Sequence, residues 1–172
     1  ACVAAASERA GTLASGAYAI TGGLGWLWLR ASALLVEGGA SRVLLASRSG
    51  RVAQRGQCFQ GQVRLVASIA VLVCDGADCC DTSSLVAARS LVGMLHAAGG
   101  LHDRMLCAMS ADDVDASFAP KAAAAAHLHK TMGARYLLES CGLFSAVAST
   151  FGNVGQANYA AANAYLDALV LR

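Results

Sequence analysis

The chain has 172 residues, 56% of them hydrophobic and 14% charged, with 18 glycines and a single proline. This composition supplies a sizeable core for one domain and excludes a disordered chain. The net charge of +2 is carried by scattered arginines with no basic stripe, which argues against a nucleic-acid partner. Apolar runs such as "AVLVC" are too short to cross a bilayer, so no membrane partner is expected.

In chain order, "ACVAAASERAGTLASG" has no basic-then-apolar leader pattern, and residues 1–15 read as a linker tail. The chain does not begin with Met, which suggests a piece of something longer. "AYAI" (17–20) is the first strand, and a glycine turn leads from it into a helical stretch reaching about Glu37. "RVLLAS" (42–47) is the second strand. A helix-compatible stretch around 60–69 precedes the third, "AVLVCD" (70–75). A helix near 82–90 leads to the fourth, "LVGMLHAAG" (91–99). Residues 110–135 read as one helical region, "LLESCGLFSAVAS" (137–149) as a fifth strand and "GQANYAAANAYLDAL" (155–169) as a last helix. Apolar strands alternating with helices predict a doubly wound, Rossmann-like α/β fold with a parallel sheet buried on both faces.

The seven cysteines show no metal-ligand spacing. Cys79 and Cys80 are adjacent, no Cys-x-x-Cys pair exists and the count is odd. They read as free thiols of a reduced compartment, and a cytoplasmic location is expected. His127 and His129 fall on different sides of a helix, so no metal is expected there either.

In a sheet of this kind ligands sit beyond the carboxyl ends of the strands. The first strand runs into "TGGLGWLWL", where Thr21, Gly22, Gly23, Leu24 and Gly25 form a turn that lets backbone approach a pyrophosphate at a helix N-terminus. The second strand ends at Ser47-Arg48, where such a fold reads the ribose. Arginine there, in place of an acidic residue, favours a 2′-phosphate and so NADPH. Asp75 closes the third strand, where adenine would lie. Ala97, Ala98 and Gly99 close the fourth with the small residues that a cofactor's close approach requires. On the last helix, Tyr159 and Asn163 are one turn apart and share a face. They suit a proton-handling site, but by themselves they favour an ordinary helix with a half-buried tyrosine and a solvated asparagine.

Taken in order, "YAITGGLG", "RVLLASRSG", "CDGAD", "HAAGGLHD", "APKAAAAAHLHK", "LFSAVAS" and "GQANYAAANAYLDAL" resemble the successive blocks of a ketoreductase domain. The type is that of modular polyketide synthases and related fatty-acid synthases, within the short-chain dehydrogenase/reductase family. The likeness runs from about residue 17 to the end. It implies NADPH-dependent reduction of a β-ketoacyl group carried on an acyl carrier protein, with other synthase domains in the same polypeptide as partners. It makes Tyr159 the proton donor, with Asn163 and, in the "PK" block, Lys121 in the same network.

Three positions depart from the pattern. The resemblance implies a serine thirteen residues before the tyrosine, and that position is Ala146. Its neighbour Ser145 is the candidate left, and in a strand it would point to the opposite face. Trp26 and Trp28 stand where the family has glycines. At position 28 an indole is expected to open the first helix or point outward, so that Trp28→Gly would raise the melting temperature. Leu101-His102-Asp103 matches the family's marker for a D-hydroxy product except at its centre. The competing tryptophan marker falls on Phe151. The family also continues into a sixth strand, a lid and a seventh strand, so a fragment or a degenerate gene is expected. Two further readings stay open: a catalytically degenerate, structural module of a synthase, and a free-standing reductase of small ketones.

Overall fold

Tyr18 and Ile20 are buried on one face of a sheet and Ala19, between them, on the other, as the two-residue period of a strand requires. Val43 and Leu45 repeat the first face; Leu44 and Ala46 repeat the second. These runs are apolar on both sides because helices cover both. The computed structural model describes residues 13–22, 24–51, 69–87, 91–135 and 138–171. Most of the N-terminal tail, Gly23 and all but the last residue of the helix expected around 60–69 lie outside them, and Ile69 belongs to a strand.

The strands are β1 (Ala17–Thr21), β2 (Arg42–Ser47), β3 (Ile69–Val73), β4 (Leu91–His96) and β5 (Ser140–Leu143). All pair in parallel, in the order β3-β2-β1-β4-β5, the doubly wound arrangement that the alternation of elements predicts. α1 (Trp26–Glu37) places Leu29 against Tyr18, Ile20, Val43 and Leu45. α2 (Cys79–Ala87) and α4 (Ala124–Arg135) place Leu85, Val86, Leu128 and Met132 against the opposite face. Chain order reverses direction between β1 and β4. In such sheets a crevice opens at that point, beyond the carboxyl ends.

β4 ends at His96, three residues short of the strand expected over 91–99, and three other elements differ more from the sequence expectation. The stretch 110–135 is not one helix. α3 (Ala111–Phe118) passes into a π-helical turn (Ala119–Ala123) before α4 begins. Pro120 has no N–H to give to a regular helix and its ring crowds the preceding turn, so the wider turn absorbs it. α2 starts at Cys79 rather than near 82, because the Asp78 carboxylate accepts from the backbone N–H groups of Cys80 (2.7 Å) and Asp81 (3.1 Å) and so caps the helix earlier. β5 is four residues long, not thirteen. Past Phe144, whose N–H still donates to the His96 carbonyl at 3.0 Å, the chain turns into the short α5 (Ala148–Phe151). The last helix, α6 (Ala157–Leu169), buries Leu166 and Leu169 with Ala125 and Leu143.

Candidate active site

The glycine turn is held against the end of β4. Gly22 has φ of +72°, and a Cβ there would lie 2.6 Å from the Ala98 Cα, so no side chain fits. The Ala97 N–H donates to the Thr21 carbonyl at 3.0 Å, and the Gly22 N–H to the Ala46 carbonyl at 2.8 Å. Leu24, expected at the cofactor, is buried in the core with its side chain among Tyr18 and Ile20; only its backbone is left for a ligand. Along the same edge Ser47 is half-buried and accepts from the Gly50 N–H, Arg48 is exposed, and Asp75 accepts from the Ala77 N–H. Asp75 lies past the end of β3 rather than within it.

On the other side of the crevice stand Lys121, Tyr159 and Asn163. The π turn presents Lys121, which is only 4% exposed. Its Nζ donates to the Phe144 carbonyl at 2.9 Å and lies 5.6 Å from the centre of the Tyr159 ring. Burial pulls the Lys121 ammonium below its ordinary pKa, and Asp167 partly opposes the shift. The sequence alternative of a solvated asparagine is corrected: Asn163 is fully buried, because α6 packs that face against α3, α5 and the π turn. Its Nδ2 donates to the Tyr159 carbonyl at 2.7 Å, and among the described residues its buried Oδ1 has no partner.

His96 joins the two sides. It is fully buried, with Nδ1 2.7 Å from Thr21 Oγ1 and Nε2 2.9 Å from the Lys121 carbonyl. A carbonyl can only accept, so Nε2 carries the proton and Nδ1 accepts from the Thr21 hydroxyl. Burial lowers its pKa to about 4, which keeps this tautomer neutral. Sequence reasoning read "HAAG" only for its small residues and missed this bridge. It also missed Asn158, whose buried Nδ2 donates to the carbonyls of His102 (3.0 Å) and Asp113 (2.8 Å). Nothing in the pattern around Asn158 announces that pairing.

At the two departures from the family pattern the structure is specific. Ser145 lies beyond β5, so the argument from opposite strand faces does not apply to it; its Oγ donates to the Asn163 carbonyl at 3.4 Å. Ala146 starts the next turn, its carbonyl accepting from the Ser149 N–H and hydroxyl. Trp28 neither opens α1 nor points outward. Its indole is half-buried and meets the Phe144 ring edge-on, centroids 4.4 Å apart. The Trp26 side chain lies outside what the structure describes.

The residues present fit a nicotinamide dinucleotide. α1 opens on Gly25 with no acidic residue in its first turn, which suits an anion at its N-terminus. A Cβ on Gly99 would stand 3.5 Å from Lys121 Nζ, so glycine keeps the space beside the amine open. The fold and this site define a dinucleotide-binding oxidoreductase fold of the short-chain dehydrogenase/reductase class. The chain belongs, over residues 16–172, to the KR domain family.

Among its relatives, polyketide synthase GfsB of Streptomyces halstedii is 42% identical over 154 residues, covering 87% of this chain and 3% of the synthase. The spectinabilin polyketide synthase system protein NorB of Streptomyces orinoci is 38% identical over 162 residues, covering 90% and 7%. Among solved structures, an A-type ketoreductase from a modular polyketide synthase is 35% identical with a TM-score of 0.81, over 90% of this chain and 34% of that one. The first ketoreductase of the tylosin synthase is 34% identical at a TM-score of 0.81, over 96% and 37%. The chain thus spans a few per cent of the synthases and about a third of the solved ketoreductase chains. Among the described residues no helix is long and apolar enough to cross a membrane.

Proposed function

We propose that the chain carries the catalytic part of an NADPH-dependent ketoreductase that reduces a β-ketoacyl group on an acyl carrier protein to the β-hydroxyacyl form. The observation that carries this reading is the buried Lys121 amine beside the Tyr159 ring. A reduced nicotinamide, when bound, supplies hydride to the β-carbon. Tyr159 then gives its phenolic proton to the oxygen that gains charge. A positive charge beside a phenol favours the developing phenolate and so eases the proton's departure. Lys121, fixed on the Phe144 carbonyl, holds that charge in place. Asn163 ties its own turn to the Tyr159 backbone and points an unpartnered Oδ1 inward. Arg48, exposed past β2, is the residue assigned here to a 2′-phosphate.

The Leu101-His102-Asp103 segment is tied to the start of α6. Gln156 Nε2 lies 3.1 Å from both Asp103 carboxylate oxygens, and the His102 carbonyl accepts from Asn158. The likeness of this segment to the family's D-type marker supports a D-hydroxy product.

The test is a titration with NADPH and NADH followed by turnover of a β-ketoacyl thioester. NADPH is expected to bind more tightly by about 1–3 kcal/mol, the range of a charge-assisted hydrogen bond, and Arg48→Ala to remove most of that preference. Tyr159→Phe is expected to abolish reduction while leaving binding intact. Equal affinities would overturn the choice of cofactor, and an L-product on chiral chromatography the stereochemistry. The rival, a structural module that scaffolds neighbouring domains, is favoured by Ala146, where the family's serine is lost. It requires that no β-ketoacyl thioester is turned over.

A further inference from the structure

Cys79 and Cys80, which show no metal-ligand spacing in the sequence, stand at the first turn of α2. Asp78, Cys79 and Cys80 are all exposed, and one ligand atom from each lies within 4.8 Å of the others. Asp78 is held rigidly, since its Oδ1 accepts from the N–H groups of Cys80 and Asp81 and its carbonyl accepts from the buried Thr82 hydroxyl at 2.9 Å. Among the described residues no hydrogen bond engages Asp78 Oδ2, so that oxygen is left for a ligand.

We propose that Asp78, Cys79 and Cys80 form a site for a thiophilic divalent cation of the zinc and cadmium class. Two sulfurs and one carboxylate oxygen make three protein ligands, with water completing a tetrahedron. Metal–sulfur bonds of about 2.3 Å put two sulfurs of one coordination sphere roughly 3.8 Å apart. The thiols therefore close by about an ångström or less, which exposed side chains achieve by rotation. Binding is M²⁺ + 2 RSH → M(SR)₂ + 2 H⁺, with no change of oxidation state and both thiol protons released to solvent. Asp75 and Asp81 stand beside the site, and Asp81 Oδ2 accepts from the Asp75 N–H at 2.8 Å. The candidate site and Asp75, expected near adenine, thus share one loop.

The probe is Cd²⁺, titrated into the full chain with thiolate-to-metal absorption in the near ultraviolet as the signal. One equivalent is expected to bind, releasing about two protons. Cys79→Ser and Cys80→Ser should each weaken binding at least tenfold, and the double variant should abolish it. Undiminished binding by the double variant overturns the proposal and assigns the metal to other thiols of the chain. A second measurement needs no variant. Cd²⁺ should protect Cys79 and Cys80 from alkylation, located by peptide mass spectrometry, while the exposed Cys107 stays reactive. Equal alkylation of all three with and without the metal likewise overturns it.

Discussion

His96 makes acid sensitivity a property of one ring. Its pKa falls from 6.5 to about 4 on folding, so above pH 6.5 it is neutral in both folded and unfolded chains and costs nothing. As pH falls from 6.5 toward 4, the unfolded chain takes up the proton first and stability is lost, up to about 3 kcal/mol. Urea midpoints measured across that window should show the decline, and His96→Asn should flatten it even if that variant is less stable at neutral pH. A slope unchanged in the variant would place the acid sensitivity elsewhere. Position 146 carries the second expectation at this scale. One preorganised donor to a developing oxyanion is worth on the order of 10²–10³ in rate. Ala146→Ser should therefore raise turnover of a simple β-ketoester, provided that cofactor binds. If Ser145→Ala instead abolishes turnover in the unaltered protein, Ser145 has taken over the role.

At the scale of elements, Trp28 reverses what a glycine-shaped expectation demands. The indole runs from the first turn of α1 to Phe144 at the end of β5, joining the helix of the glycine turn to the strand end that holds Lys121. An edge-on aromatic pair contributes about 0.5–1.5 kcal/mol beyond its burial, and glycine inside a helix costs up to about 1 kcal/mol. Trp28→Gly should thus destabilise the chain by about 2 kcal/mol and lower its melting temperature by roughly 4–8 °C. A rise would show that α1 is strained by the indole. The elements that could be read from sequence are those with a strong local signal: β1, β2 and β4 are continuous apolar runs, and α6 has no breaker after Gly155. β5 was overdrawn because its end is set by pairing with β4 rather than by its own apolar run. The π turn was missed because a run of alanines carries no phase, and the lone proline within it reads equally well as a helix start.

For the whole molecule, the parallel sheet and the line of candidate residues along its carboxyl edge were legible because strands alternating with helices require parallel crossovers, whereas the strand order β3-β2-β1-β4-β5 is set by long-range pairing. The coupling between the two sides of the crevice was not legible, since the contacts of His96 with Thr21 and Lys121 are long-range and leave no periodic trace. The same scale governs association. Val147, Phe151 and Val154 are 71%, 83% and 82% exposed in one short stretch after β5, and exposed apolar patches of this kind promote association. The 172-residue chain should therefore show a sedimentation coefficient that rises with concentration, and Phe151→Glu with Val154→Lys should suppress the rise. Concentration-independent sedimentation of the unaltered chain would mean that the stretch is not adhesive.

The π turn has one more consequence. A π turn amounts to one residue inserted into a helix, and each residue turns the chain by about 100°. α3 and α4 are therefore out of phase, and each can bury its own face only because the turn between them absorbs the difference. Lys121 sits inside that offset, and Ala122 to Ala126 follow it. Three of these alanines, Ala122, Ala124 and Ala125, are buried. By composition the run looks like filler in which length is immaterial. It is a measured spacer: losing one alanine would straighten the helix and rotate the lysine away from Tyr159, whereas exchanging the half-buried Ala123 or Ala126 for another small residue would leave the register untouched. In this segment the number of residues carries the information that their identities lack.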